Sequence, residues 1–156
     1  MVNRNEWVYA HMFGKIVELG CGSGDMFKGT PFAQNTVGVD MGVYRTEYKQ
    51  FVQTDAAATP FKDGEFDVAF LGELLQQVPD PVKVLKEAKR ICKGPLVFTV
   101  PYEYNWGAEL LPFTNPASCR SYTTDTLCDD FDKAGLSYRI EMLNYNGWSF
   151  LVGCLK

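Results

Sequence analysis

Glu18-Leu19-Gly20-Cys21-Gly22-Ser23-Gly24 is the most informative stretch of this 156-residue chain. It comes directly after Ile16-Val17, so residues 16–19 form a predicted strand that runs into a cluster of glycines. Glycines let the backbone turn sharply at the end of a strand and approach a ligand closely. The stretch therefore predicts a binding loop at the carboxyl end of a first parallel strand.

The spacing of the glycines argues against ligands that carry phosphates. A dinucleotide loop needs Gly-x-Gly-x-x-Gly, whereas the third glycine here, Gly24, falls one place early. Asp25 follows it, and an acid at this place would repel a pyrophosphate. A phosphate loop ending in Gly-Lys-Ser/Thr is also missing from the sequence. Glu18, inside the strand before the glycines, favours instead a ligand with an ammonium group or another positive charge.

Two further acidic residues stand where the next predicted strands end. Asp40 follows strand 36–39, where a carboxylate accepts hydrogen bonds from ribose hydroxyls. Asp55 follows strand 51–54 and can accept from the amino group of a purine, while the backbone N–H of Ala56 meets a ring nitrogen. Together these positions describe a site for an adenine, a ribose and a zwitterionic tail without phosphates. The ligand that fits is S-adenosylmethionine.

The rest of the chain alternates between β-rich and helical segments. The predicted elements are strands at 66–71 and 96–100, a helix between them with Asp80 as N-cap and Pro81 in its first turn, a helix at about 125–134 between Thr124 and Gly135, and a hairpin of 136–143 and 148–151 around Asn146-Gly147. This order predicts an α/β fold, a Rossmann-like, doubly wound, mostly parallel seven-stranded sheet with a C-terminal antiparallel hairpin.

Composition limits the class of protein and its partners. The formal charge of −4 and the pI near 5.0 remove the usual attraction to nucleic acids and anionic bilayers. No apolar stretch approaches the ~20 residues of a membrane helix and residues 1–6 are polar, so we expect a cytoplasmic protein. The wide spacing of the five cysteines predicts free thiols and no metal site: Cys21, Cys92, Cys119, Cys128 and Cys154.

Taken in order, these motifs resemble the class I S-adenosylmethionine-dependent methyltransferases, in the branch with small-molecule and glycan-related acceptors. The resemblance spans about residues 15–156 and rests on the matching stretches 17–24, 37–40, 55–56, 60–61, 66–68, 73–81, 100–101, 122–123 and 134–135, with Leu127. It implies that S-adenosylmethionine is the cofactor. The length of the chain and the lack of any linker or repeat predict that residues 1–156 form a single domain of this kind.

The resemblance assigns a part of the cofactor to each matching residue. It implies that Glu18, Gly20 and Gly22 surround the methionine part, with Cys21 and Gly24 contributing backbone. Asp40 is expected to bind the ribose, Met41 to pack on the adenine, and Asp55 and Ala56 to bind the edge of the adenine. Leu71 and Gly72 are expected to line the methyl donor. Cys21 is expected to contribute as a small residue and not as a nucleophile.

The acceptor side follows the family less closely. Gln77 stands where many relatives carry a histidine base, and residues 1–14 form only a short N-terminal lid segment. The irregular stretch 101–123 is the expected acceptor-side loop. Direct displacement at a sulfonium needs positioning more than a base, so a catalytic side chain is not required. The candidates for one are Tyr102, Glu103 and His11.

Three functions fit this sequence. The first is transfer of a methyl group from S-adenosylmethionine to an oxygen or nitrogen atom of a small-molecule or sugar-like acceptor. The second is a catalytically weak S-adenosylmethionine-binding protein that acts as a partner subunit, and the third is a nucleotide- or NAD-binding Rossmann protein, against which the early third glycine argues. Because the segments after the first two strands are short, we also expect a homodimer or a partner that completes the site.

Overall fold

Seven strands form one mixed sheet in the computed structural model, which describes residues 3–102, 120–145 and 148–156. The strands are β1 (Ile16–Leu19), β2 (Thr36–Asp40), β3 (Gln50–Gln53), β4 (Val68–Gly72), β5 (Leu96–Pro101), β6 (Tyr138–Tyr145) and β7 (Trp148–Leu155). Their order is β3-β2-β1-β4-β5-β7-β6, with β1 to β5 parallel and β7 antiparallel to both of its neighbours. The predicted fold class is confirmed.

Three α-helices accompany the sheet among the described residues: α1 (Arg4–Tyr9), α2 (Pro81–Ile91) and α3 (Thr124–Ala134). Helix α2 begins as predicted, since the Asp80 side chain accepts a hydrogen bond from the Lys83 N–H at 3.1 Å. Helix α3 begins one residue earlier than the sequence suggests. Thr123, not Thr124, is its N-cap, because Thr123 and Thr126 satisfy each other's backbone N–H groups.

The start of β4 also differs from its prediction. Phe66 makes only an isolated bridge to Cys92, and the continuous strand begins at Val68. Asp67 lies between them and uses its carboxylate for structure, accepting from the Lys15 N–H at 2.7 Å and pairing with Lys93 at 2.9 Å. The polar residue in an otherwise apolar run therefore marks the entrance to the strand.

Each face of the sheet is covered by a different kind of structure. Helices α2 and α3 pack on one face, where their buried side chains join those of β1, β4 and β5. On the other face, α1 contributes Trp7 and Val8, while the irregular segments after β1 and β2 contribute Phe27 and Tyr48. Alternate residues of a strand point to opposite faces, so Ile16 and Val17 belong to different halves of the core.

No α-helix occurs within the described residues 20–67. The connection between β1 and β2 contains only a 3-10 helix (Pro31–Asn35), and residues 41–49 between β2 and β3 are irregular. An aromatic cluster replaces the missing helices on this face: the Phe27 ring is fully buried and its centroid lies 5.7–6.2 Å from those of four other rings, Tyr9, Phe32, Tyr48 and Phe70.

Within the three described segments, the helices are too short or too polar for any of them to cross a bilayer.

Candidate functional site

A cavity of about 440 Å³ opens at the carboxyl edge of the sheet, above the ends of β1, β2 and β4. This is the edge at which open α/β sheets bind ligands, and the volume lies in the range of small-molecule sites. Its described lining residues are Arg4, Glu18, Gly20, Cys21, Gly22, Ser23, Asp25, Met26, Asp40, Tyr44, Phe70, Gly72, Glu73 and Gln77.

Asp40 shapes the glycine loop with its carboxylate. One oxygen accepts from the Gly22 N–H at 2.9 Å, and the other accepts from the Gly42 N–H at 2.9 Å. Gly22 has a left-handed φ of 51°, and a Cβ built on it would meet nothing within 4 Å, so the loop leaves open space at this point. A carboxylate has about four acceptor sites, which leaves Asp40 able to accept two further hydrogen bonds from a ligand.

Glu18 lies buried at the end of β1 and accepts a hydrogen bond from the Tyr48 hydroxyl. Burial raises the pKa of Glu18 to about 8; the Tyr48 hydrogen bond opposes that rise, while the nearby Asp25 and Asp40 add to it. At neutral pH this carboxyl therefore carries a proton. A cationic group placed beside it would stabilise the ionised form and draw that proton off.

The Cys21 side chain lines the same cavity. Burial raises the pKa of its thiol to about 12, and the acidic Glu18 and Asp40 contribute to the rise. Nucleophilic cysteines have lowered pKa values, and the raised pKa agrees with the prediction that Cys21 does not act as a nucleophile.

The end of β4 forms the opposite wall. Gly72 is the last residue of the strand, and Glu73 follows with a φ of 52°, the single non-glycine residue with positive φ in the described part of the chain. The Glu73 N–H donates to the Thr99 carbonyl at 2.8 Å, and the Glu73 carbonyl accepts from Gln77 Nε2 at 2.7 Å. The Glu73 carboxylate pairs with Arg4 from α1. Strain of this kind is held by surrounding contacts and concentrates at functional sites.

The charges around the cavity are unequal. Its described lining includes one basic side chain, Arg4, and four carboxyl groups, of which Glu18 is protonated at neutral pH and Glu73 pairs with Arg4; the other two are Asp25 and Asp40. Such a lining repels phosphates and attracts cations. It therefore suits a ligand that combines a positive charge, hydroxyl groups and at most one anionic group.

The structure brings six of the eleven predicted cofactor residues to this cavity: Glu18, Gly20, Cys21, Gly22, Asp40 and Gly72. The other five are not among its described lining residues. Gly24 packs under the Tyr48 ring, Met41 is 71% exposed just beyond Asp40, Leu71 is fully buried in β4, Asp55 is exposed beyond β3, and Ala56 is buried beside it. The cofactor contacts of all eleven residues remain predictions.

Two of the three candidates for a catalytic side chain, Tyr102 and His11, lie among the described residues, and the structure does not bring these two together. Tyr102 is half-buried against the core that α2 and α3 cover, and its N–H donates to the Ser149 carbonyl at 3.0 Å. His11 lies in a separate groove, where its ring stacks on Trp7 with centroids 4.1 Å apart. Glu103 lies outside the described residues, as does most of the predicted acceptor-side loop 101–123. A catalytic role for any of the three stays a prediction.

Among the residues at the site that the sequence did not single out as site residues are Arg4 and Glu73, which line the cavity, and Tyr48, which donates to Glu18. Glu73 had a usable signal, because it directly follows a predicted strand whose carboxyl end faces ligands. Arg4 and Tyr48 had none, since their approach depends on how α1 and the irregular segment after β2 pack on the sheet.

Comparison with known proteins begins with a family model. Residues 17–95, half of the chain, match the model described as a methyltransferase domain. This span runs from β1 to the end of α2, and so contains the glycine loop, Asp40 and Glu73.

Relatives of known name match part of the chain. The chain is 33% identical over 94 residues to a demethylmenaquinone methyltransferase from Lactococcus lactis, covering 50% of this chain and 37% of that protein. It is 32% identical over 115 residues to a ubiquinone biosynthesis O-methyltransferase from Paraburkholderia phymatum, covering 61% and 48% respectively. The chain thus matches less than half the length of each of these relatives.

Solved structures share the fold at low sequence identity. A methyltransferase from Thermotoga maritima, described as a possible histamine N-methyltransferase, superimposes with a TM-score of 0.72 at 22% identity, covering 97% of this chain and 86% of that one. A putative methyltransferase in complex with the Trm112 activator of Haloferax volcanii superimposes with a TM-score of 0.71 at 17% identity, covering 93% of this chain and 83% of that one. Magnesium protoporphyrin IX methyltransferase from Synechocystis, with S-adenosylmethionine bound, superimposes with a TM-score of 0.65 at 15% identity, covering 97% of this chain and 76% of that one.

Proposed function

The chain belongs to the methyltransferase domain family, and on that basis we propose that it transfers a methyl group from S-adenosylmethionine to an oxygen or nitrogen atom of a small-molecule or sugar-like acceptor. The observation that carries this proposal is the cavity at the glycine loop, where Asp40 is held by two backbone N–H groups and still has acceptor capacity facing open space. The relatives named above act on quinone precursors by their names, which supports a small-molecule acceptor.

The donor set of the cavity fits the proposed cofactor. The Asp40 carboxylate suits ribose hydroxyls, and buried Glu18 suits the ammonium group of the methionine end. The excess of acids also suits a sulfonium and disfavours NAD, whose pyrophosphate would lie against Asp25. These features favour S-adenosylmethionine over the dinucleotide alternative.

The chemistry needs little from the protein beyond position. When bound, S-adenosylmethionine would supply a methyl group on a sulfonium: the acceptor atom would form the new bond to carbon, the carbon–sulfur electron pair would stay on sulfur, and the proton of the acceptor would leave to water. In this scheme, the glycine loop and Asp40 fix the nucleoside, and Glu18 gives up its proton to hold the ammonium group. Gly72 keeps the wall beside the reacting carbon free of a side chain. Holding donor and acceptor in line lowers the barrier without a catalytic base.

Calorimetry and an activity screen test the proposal in two steps. We expect the protein to bind S-adenosylmethionine and S-adenosylhomocysteine and not NAD; binding of NAD alone would refute the cofactor assignment. We then expect transfer of radioactive methyl to at least one compound in a screen of phenols, quinols, amines and sugars. Cofactor binding without transfer to any acceptor, alone or with cell extract, would support the partner-subunit function instead.

A homodimer or a partner subunit is part of the proposal. Met41, Val43 and Tyr44 are 71%, 81% and 43% exposed on the irregular connection beside the edge strand β3, and Tyr44 also lines the cavity. An apolar group of this kind at the mouth of a site is typical of a protein contact. The fold neighbour that is solved with a Trm112 activator offers one precedent for a partner.

We also propose a cytoplasmic location. The cysteines of the described segments are all free thiols: Cys21, Cys92, Cys128 and Cys154. Free thiols are typical of a reducing compartment. Cell fractionation with a membrane and a periplasmic or luminal marker tests this, and recovery with either marker would contradict it.

A further inference from the structure

We propose that Arg4 binds the carboxylate of the methionine end of S-adenosylmethionine. The inference rests on the proposed function, because it concerns how this chain holds that cofactor. It adds a residue that lies outside the glycine loop, near the start of the chain, to the wall of the cofactor site.

The charge balance of the cavity leads to this residue. The proposed ligand carries one carboxylate, and the described cavity wall presents four carboxyl groups, Asp25, Asp40, Glu73 and Glu18, the last of which would ionise only beside the ammonium group of the ligand. A carboxylate enters such a surface only if a cation meets it, since like charges at close range raise its free energy. Arg4 is the one cation among the described lining residues.

The position of Arg4 supports the same role. It shares the cavity wall with Glu18 and Gly20, the residues proposed for the methionine part. Its guanidinium lies over the Phe150 ring, 5.1 Å from the ring centre, and its side chain is 25% exposed. A half-buried guanidinium on an aromatic ring is well suited to bidentate recognition of a carboxylate.

The helix that carries Arg4 is fixed and not a loose end. Trp7 and Val8 of α1 are buried against the sheet, and Asn3 and Glu6 form a reciprocal capping box at the helix start. The guanidinium is therefore presented at the cavity before any ligand arrives. Little conformational entropy is lost on binding.

Glu73 is the partner with which a ligand carboxylate would compete or share. It pairs with Arg4 in the structure. Arginine has five N–H donors, so Arg4 can turn part of its fork to the ligand while it keeps or releases Glu73. Removal of the Glu73 charge should consequently leave the affinity for a carboxylate ligand unchanged or increase it.

The test compares two ligands that differ only in the carboxylate. Isothermal calorimetry is done with S-adenosylmethionine and with its decarboxylated analogue on the wild type, Arg4→Met and Arg4→Lys. We expect Arg4→Met to weaken the binding of S-adenosylmethionine about 10- to 100-fold and to change the affinity for the decarboxylated analogue by no more than about twofold. Arg4→Lys, which keeps the charge but not the fork, should recover part of the loss. An equal loss for both ligands, or no loss for either, would overturn the assignment.

Two more variants separate ligand binding from anchoring of the helix. If Arg4 served only to tie α1 to the end of β4, Glu73→Gln would reproduce the loss seen in Arg4→Met; we expect it to bind S-adenosylmethionine at least as well as the wild type. Arg139→Met is the matched control, since its side chain is 84% exposed on β6 and lines only the separate groove. Thermal melts confirm that each variant folds. If the wild type binds neither ligand, the proposed function itself is refuted. If the wild type binds both ligands and Arg4→Met binds them with the same affinities, only this inference is refuted.

Discussion

Asp40 combines two duties in one carboxylate. It holds the backbone of the glycine loop through Gly22 and Gly42, and it is the residue proposed for the ribose hydroxyls. We expect Asp40→Ala to weaken S-adenosylhomocysteine binding by about 1.5–3 kcal/mol, because it removes charge-assisted hydrogen bonds. Calorimetry measures the change.

Controls separate the two duties of Asp40. Asp40→Asn keeps an acceptor for a loop N–H, so it should lose less affinity than Asp40→Ala. Asp129→Asn, on the exposed side of α3, controls for the lost charge. If Asp40→Ala bound the nucleoside as tightly as Asp129→Asn, Asp40 would not belong to the site.

Glu18 makes stability depend on pH. Its pKa is about 8 in the folded protein and near 4.5 when unfolded, so between these values only the folded state holds the proton. Stability must then decrease as pH rises through this window, on the order of 1 kcal/mol per pH unit. Urea denaturation from pH 5 to pH 8 should show this slope in the wild type without ligand.

Glu18→Gln is the variant that tests the cause of the slope. An amide keeps the size of the side chain and a hydrogen bond to Tyr48 but does not titrate, so its unfolding free energy should vary much less over the same range. A slope that is identical in both proteins would mean that another group binds the proton. Added S-adenosylmethionine should also reduce the slope, because its ammonium group favours ionised Glu18.

At the scale of elements, the glycine loop tolerates side chains unequally. Gly20 and Gly22 both have left-handed φ values, 73° and 51°, which cost an alanine about 1–2 kcal/mol. A Cβ on Gly20 would also lie 2.5 Å from Leu74 Cδ1, whereas a Cβ on Gly22 meets nothing. We therefore expect Gly20→Ala to lower the free energy of unfolding by about 1 kcal/mol more than Gly22→Ala. Equal destabilisation in chemical denaturation would contradict this.

The connection between β3 and β4 has no helix and is held by α2 instead. Glu87 of α2 accepts from the Thr59 N–H and hydroxyl at 2.8 and 2.6 Å, and it pairs with Arg90 at 2.7 Å. The Arg90 hydrogen bond is the main cause that lowers the pKa of Glu87 to about 2. Arg90 also forms an ion pair with Asp63 at 2.6 Å. The Glu87 carboxylate therefore holds the connection both directly, at Thr59, and through Arg90.

Glu87→Gln should destabilise the protein at pH 7 by about 1–2 kcal/mol, since it weakens charge-assisted hydrogen bonds on a side chain that is 10% exposed. Because the folded pKa is lowered, the contribution of Glu87 is present above pH 4.5 and is lost as pH falls towards 2. The difference between the variant and the wild type should thus narrow in that acid range. Lys86→Ala, on the exposed face of the same helix, is the control. A constant difference at every pH would point to lost packing and not to charge.

At the scale of the whole molecule, the proposed dimer or partner contact can be measured directly. We expect light scattering after size exclusion to give a mass above the 17.6 kDa of one chain, or to do so once a partner is added. Val43→Lys should shift the mass towards the monomer, because it puts a charge into the exposed apolar group beside β3. A wild-type monomer that transfers methyl groups alone would refute the contact.

Local sequence signals were enough for most of the fold. Glycines after an apolar run located the end of β1, and the Asp80-Pro81 pair located the start of α2, because both depend on neighbours in the chain. The coverage of the second face was harder to foresee. Phe27 and Tyr48 stand in for helices there, and their packing depends on the whole sheet.

The candidate site divides in the same way. The acids and glycines at strand ends follow from the strand pattern, since parallel strands place their carboxyl ends at one edge. Arg4 reaches the cavity and Tyr48 reaches Glu18 from segments without a motif, and no periodicity predicts either approach. The position of Glu73 at the site could be predicted from the strand that precedes it, but its positive φ cannot be read from the sequence.

The two ends of the described chain emerge at opposite edges of the sheet, which decides where an affinity tag belongs. Arg4, one residue after the first described position, reaches the cavity, whereas Lys156 pairs with Ser137 at the far end of the strands. A purification tag or a surface-immobilisation handle added ahead of α1 would crowd the ligand entrance. The same handle placed after Lys156 would leave that entrance clear for binding measurements.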